Sequence, residues 1–111
     1  MQPSTSNRKG KVYVNGLYAG IISEVDEGYI FSYDESYCLN PEAVPVSLTM
    51  PLQTHRYESR TFFPYFDGLI PEGWLLEIAA RTWKINTRDR MGLLLTVCRD
   101  CIGAVSVETA V

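Results

Sequence analysis

Asn15-Gly16 stands between two runs rich in apolar and β-branched residues, Lys11 to Asn15 and Leu17 to Val25, and this arrangement constrains the fold more than any other feature of the chain. Both turn residues tolerate the positive φ that a tight primed turn demands, so the spacing predicts a β-hairpin. A second turn at Asp26-Glu27-Gly28 leads into Tyr29-Ile30-Phe31-Ser32-Tyr33. Three consecutive antiparallel strands, a meander, are therefore expected to open the domain.

Asn40-Pro41 and Pro45 mark a loop, and Val46-Ser47-Leu48-Thr49-Met50 alternates before Pro51. That pattern predicts a short edge strand, where proline is tolerated at the ends. Residues 53–60 are polar and irregular and are expected to form an exposed connection. Beyond them the apolar period changes from two to about three and a half. Thr61 can cap a helix from Phe62, with Pro64 in its first turn and Gly68 as its stop. Pro71 and Glu72 suit the start of a second helix running to about Trp83, and Asn86 or Thr87 can cap a third that ends near Cys98. Ala104 to Val107 reads as a closing strand. The expected fold is α+β: an antiparallel sheet made of the N-terminal meander and a C-terminal strand, covered by about three short helices.

With 111 residues, one domain is the prior. Residues 1–10 are expected to be a disordered arm and residues 11–111 a single domain. No apolar run reaches bilayer-spanning length, and the arm lacks the apolar stretch of a secretory signal. Three cysteines, Cys38, Cys98 and Cys101, are an odd and sparse set, which fits a reducing cytoplasm better than a disulfide framework. The net charge of −3 argues against direct nucleic-acid binding, which draws on Lys and Arg to neutralise phosphates.

Catalytic residue sets are missing from the sequence. There is no Gly-rich phosphate loop, no catalytic-loop Asp with its Asn, and no strand-borne Lys in the right setting, so phosphate transfer by this chain is not expected. Asp67-Gly68 is explained by helix termination. His55 is the only histidine and has no orienting carboxylate nearby in sequence. Cys98 and Cys101 have Cys-x-x-Cys spacing, but there is no second pair for zinc and no strand-then-helix setting for redox work. Neither a metal nor a cofactor is expected.

Trp74 is more informative. On a helix from Pro71, Leu76, Ala79, Ala80 and Trp83 share one stripe, while Trp74 projects with Glu77, Arg81 and Lys84 on the polar side. An outward tryptophan behind Gly73 suits a partner's pocket, because it buries much area for little lost entropy. The alternative is that Trp74 folds back on Phe66, Leu69 or Ile70 as satellite core. Both placements fit the sequence.

Three ordered motifs carry a family resemblance. Pro45-Val46-Ser47-Leu48-Thr49-Met50-Pro51-Leu52 resembles the SLSLPL strand of HipA-type toxin kinases. Phe66-Asp67-Gly68-Leu69-Ile70-Pro71-Glu72-Gly73 resembles their helix junction, and Arg99-Asp100-Cys101-Ile102-Gly103-Ala104-Val105 resembles their GRD-x-VGAV turn and strand. In such kinases this segment is an N-terminal subdomain ahead of the kinase core, and here the chain stops at Val111, where that core should begin. A stand-alone copy is similar to the small antitoxin subunit of split, three-component bacterial HipA-like systems. The resemblance implies a cytoplasmic, non-enzymatic protein that docks on a separate HipA-like serine/threonine kinase in place of the missing subdomain. It implies a DNA-binding HipB-like protein as a further partner. Trp74, with Pro71, Glu72, Gly73 and Arg81, is the expected partner-binding site, with Trp74 presented to the kinase cleft so that the kinase is inhibited. A structural module that completes or stabilises the kinase without inhibiting it is the alternative.

Overall fold

In the computed structural model, which describes residues 8–70, 77–78, 81–82, 84, 86–98 and 104–110, Asn15 and Gly16 adopt φ of 51° and 82°. They reverse the chain between β1 (Lys9–Val14) and β2 (Leu17–Val25), as the Asn-Gly pair predicts. β3 (Gly28–Tyr33) completes the meander, β4 (Tyr57–Ser59) lies outside β3, and β5 (Val105–Ala110) returns beside β1. The result is a five-stranded sheet in the order β4-β3-β2-β1-β5, antiparallel throughout. A register shift between Val12 and Tyr13 leaves Ala19 as an extra residue on β2, the signature of a β-bulge.

One sheet face supplies the core. Val12 and Val14 of β1, Ile22 of β2, Phe31 and Tyr33 of β3, and Val105 and Val107 of β5 are buried there. Three helices are described: α1 (Glu35–Leu39), α2 (Pro64–Asp67) and α3 (Arg90–Val97). Met91, Leu93, Leu94 and Leu95 of α3 join Phe66 of α2 in the same cluster. The α+β class and the closing strand agree with the sequence expectation.

Several local expectations are corrected. β1 begins at Lys9, and Arg8 forms ion pairs with Glu24 and Asp89, so residues 8–10 are not part of a disordered arm; residues 1–7 lie outside the described ones. The expected strand at Val46–Met50 is a turn that keeps only an isolated Ser47–Met50 bridge. Side chains have taken the backbone groups a ladder would use: the Val46 N–H donates to the Tyr33 hydroxyl at 2.9 Å, that hydroxyl donates to the Met50 carbonyl, and the Thr49 N–H donates to Ser47 Oγ at 3.1 Å. Local side-chain bonds of this kind compete with sheet formation. The edge strand is instead Tyr57–Ser59, in the stretch expected to be irregular.

Helix boundaries shift too. α2 starts at Pro64 with Phe63 at its N-cap, and Gly68 ends it as expected. α3 is capped not by Asn86 or Thr87 but by Asp89, whose carboxylate accepts the Gly92 N–H at 3.1 Å. Asn86 is used instead in the preceding turn, accepting the Arg88 N–H at 2.8 Å. α1 was not expected. Asp34 caps it by accepting the Tyr37 N–H, and Glu35 sits in its first turn, where a carboxylate favours the positive end of the helix dipole.

Candidate partner interface

The candidate segment begins at residue 71, so its position depends on what holds residues 64–70. Phe66 is fully buried and packs its ring against Phe31 of the sheet, with centroids 5.3 Å apart. Phe63 meets Phe66 edge-on at 6.1 Å. The amides of Asp67, Gly68, Leu69 and Ile70 donate back to carbonyls three or four residues earlier, and Ile70 ends the run 2% exposed. An aromatic helix turn with apolar residues at 63, 66 and 70 thus seats itself on the sheet by one face.

Two contacts fasten this platform to α3. Arg90 Nε donates to Asp67 Oδ1 at 2.6 Å, while Arg90 Nη1 donates to the Thr87 carbonyl at 3.2 Å. The Leu69 carbonyl accepts from Cys98 Sγ at 3.5 Å. Asp67 therefore ends a helix and also anchors it. Sequence reasoning found only the first role, because a partner 23 residues away leaves no spacing signal.

Pro71, Glu72, Gly73 and Trp74 lie outside the described residues, and so does the choice between an outward and an inward Trp74. Arg81 is described, exposed on helical backbone, and Glu77 and Lys84 are exposed as the polar face requires. Lys84 has φ 54°, and its N–H reaches the Arg81 carbonyl at 3.4 Å. A positive φ with a backward bond of this kind is how helices commonly end, close to the expected end at Trp83.

The groups considered for chemistry are not brought together among the described residues. His55 is exposed, and no described carboxylate meets its ring. Cys38 is half-buried and donates to the Gln53 carbonyl at 3.8 Å, whereas Cys98 is fully buried; Cys101 lies outside the described residues. No group of three or more His, Cys, Asp or Glu side chains is placed to hold a metal ion among the described residues. An open hollow of about 540 Å³ at the β2–β3 turn is lined by Asp26, Glu27, Glu58 and Arg60 among others, without a nucleophile and base in contact. No described helix is long and apolar enough to cross a membrane.

Known proteins share this arrangement. The HipA N-terminal domain family matches residues 10–108. An uncharacterized protein of Haemophilus influenzae is 36% identical over 101 residues, spanning 91% of this chain and 92% of that protein. A solved structure, the N-terminal domain of HipA toxin, superposes with a TM-score of 0.74 at 31% identity, covering 100% of this chain and 98% of that one. From the meander through the closing strand, the chain belongs to the HipA N-terminal domain family.

Proposed function

We propose that this protein is an antitoxin-like binding subunit: it docks on a separate HipA-like serine/threonine kinase where a fused N-terminal subdomain would sit, and it holds that kinase inactive. The observation that carries the proposal is the platform at residues 64–70. Phe66 and Ile70 are buried, and Asp67 is paired with Arg90, so whatever follows residue 70 departs from a fixed point. A preorganised point of departure reduces the entropy lost when a protruding segment engages a partner. Trp74, with Pro71, Glu72 and Gly73, enters the kinase cleft as a wedge that prevents closure around ATP. Arg81 contacts the partner from the exposed face beyond it.

One relative supports a stand-alone form. The Haemophilus relative is matched over 92% of its length, which leaves it no room for a kinase core of its own. The protein itself has no catalytic role and binds no cofactor, and a DNA-binding HipB-like protein completes a ternary complex in the cytoplasm through the kinase. The test is phosphorylation by the HipA-like kinase of the same genome, with and without added protein. Inhibition supports the proposal, and Trp74→Ala is expected to abolish inhibition while retaining docking. Unchanged or increased phosphorylation would show a structural module that completes the kinase.

A further inference from the structure

Leu48 is 95% exposed at the tip of the turn described above, while Val46 and Met50 on either side are buried at 7% and 5%. A single exposed leucine is ordinary. Three observations set this one apart. The large apolar side chains exposed among the described residues are Leu17, Leu39, Val44, Leu48 and Ile78, so the middle three fall in one short segment from the last residue of α1 to the turn.

The backbone that presents them is fixed by tyrosine hydroxyls. Tyr33 bonds both Val46 and Met50, Tyr37 accepts from the Val44 N–H at 3.1 Å and donates to its carbonyl at 2.8 Å, and Tyr57 donates to the Pro51 carbonyl. The Tyr33 and Tyr37 rings stack 6.4 Å apart, so α1 and the turn form one unit. At the tip, Ser47 Oγ lies 2.9 Å from Thr49 Oγ1 and the Met50 N–H returns to the Ser47 carbonyl at 3.0 Å. A side chain held this way loses little backbone freedom on binding.

Charge identifies the occupant. Residues 34–54 contain Asp34, Glu35 and Glu42 but no Lys or Arg, and Glu35 and Glu42 are exposed. An acidic segment without Lys or Arg that carries an exposed apolar tip is complementary to an apolar socket flanked by Lys or Arg. Beside the tip, an apolar groove of about 280 Å³ lined by Thr49, Met50, Tyr57, Phe63, Pro64 and Tyr65 runs to α2, the platform for residue 71. We infer that Leu48 is a second anchor of the kinase interface, seated in a basic-rimmed apolar socket on the kinase surface; this rests on the docking proposed above.

The test is the dissociation constant of the full chain for the HipA-like kinase of the same genome, with Leu48→Ser, Glu42→Lys and, as a control at an exposed leucine on another element, Leu17→Ser. Leu48→Ser is expected to weaken binding at least about thirtyfold, the scale of an interface hot spot, with an unchanged melting temperature because Leu48 is 95% exposed. Glu42→Lys is expected to weaken it about three- to tenfold with a reduced salt dependence, and Leu17→Ser to leave it unchanged. If wild type binds and Leu48→Ser binds within twofold of it, the second anchor is refuted and docking stands. If wild type does not bind the kinase, docking fails and the anchor with it. Loss of self-association, rather than of kinase binding, in Leu48→Ser would assign the turn to a second copy of this chain and overturn the inference.

Discussion

Arg8 Nη2 stands 2.8 Å from Asp89 Oδ1, so the residue before the first strand holds the N-cap of α3. The same guanidinium donates to both carboxylate oxygens of Glu24, at 2.8 and 3.0 Å, and Nη1 reaches Asp89 Oδ2 at 3.1 Å. One planar side chain thus makes paired bonds to two carboxylates and joins β2 to the helix that carries Arg90. The bonds to Glu24 and Asp89 hold the guanidinium charged well above its ordinary range, and the bond from Arg8 draws the Asp89 carboxyl below the usual aspartate range.

Arg8→Ala is expected to lower stability by about 1–2 kcal/mol, the scale of hydrogen bonds to charged groups reduced by solvent screening. A carboxyl whose folded pKa is depressed adds stability above its unfolded pKa of about 4 and loses it as pH falls through the lower folded value. The gap in Tm between wild type and Arg8→Ala should therefore be constant near neutrality and shrink as pH falls below about 4. A gap that persists at pH 2 would show that Arg8 acts through packing rather than charge.

Gly92→Ala offers a test of sign. Alanine in a helix interior is ordinarily better than glycine by about 1 kcal/mol. Here a Cβ would lie 2.3 Å from Asp89 Oδ2 and 3.0 Å from Arg8 Nη1, forcing out the capping carboxylate. Losing the cap and disturbing its ion pair should outweigh the propensity gain, for a net destabilisation of about 1 kcal/mol. In an Asp89→Ala background the obstacle is gone, and Gly92→Ala should become neutral or stabilising in chemical denaturation.

Much of the fold was legible because its determinants are local. Asn15-Gly16 needs only two residues to fix a hairpin, and the alternation from Tyr29 to Tyr33 needs only its own length. The turn at Val46–Met50 misled because its alternation is real in sequence, yet Val46 and Met50 point inward and Leu48 outward only once hydroxyls from Tyr33 and Tyr57 claim the flanking backbone. Asp89 rather than Asn86 or Thr87 is the cap, and its carboxylate is bonded by Arg8, 81 residues away, a partner that leaves no local signal. The motif singles out the segment after Ile70 as the expected partner site, while the Asp67–Arg90 pair on the N-terminal side of Ile70 depends on tertiary contact.

Tyr33→Phe should show what holds the turn. The hydroxyl is the partner of the Val46 N–H and the Met50 carbonyl, and removing it strands two buried backbone groups at a cost of about 2–4 kcal/mol. Burial pushes the Tyr33 phenol up to about 12. For an acid whose folded pKa is raised, stability is intact below the unfolded value of about 10 and falls as pH rises towards 12. Tyr33→Phe should flatten part of that alkaline loss. Other phenols, Tyr18 and Tyr29 among them, are also raised by burial and keep the remainder.

Arg81→Glu separates charge at the interface from the fold. Arg81 is exposed on helical backbone, and surface substitutions away from special features change stability by about 0.5 kcal/mol or less. If Arg81 faces an acidic patch on the kinase, reversing its charge should slow association about tenfold at low salt and leave dissociation nearly unchanged, because peripheral charges steer encounter more than they hold the complex. Raising ionic strength should bring the two association rates together as charges separated by more than about 10 Å become screened. Equal association rates at low salt would place Arg81 outside the contact and confine the interface to the residues on the α2 side of it.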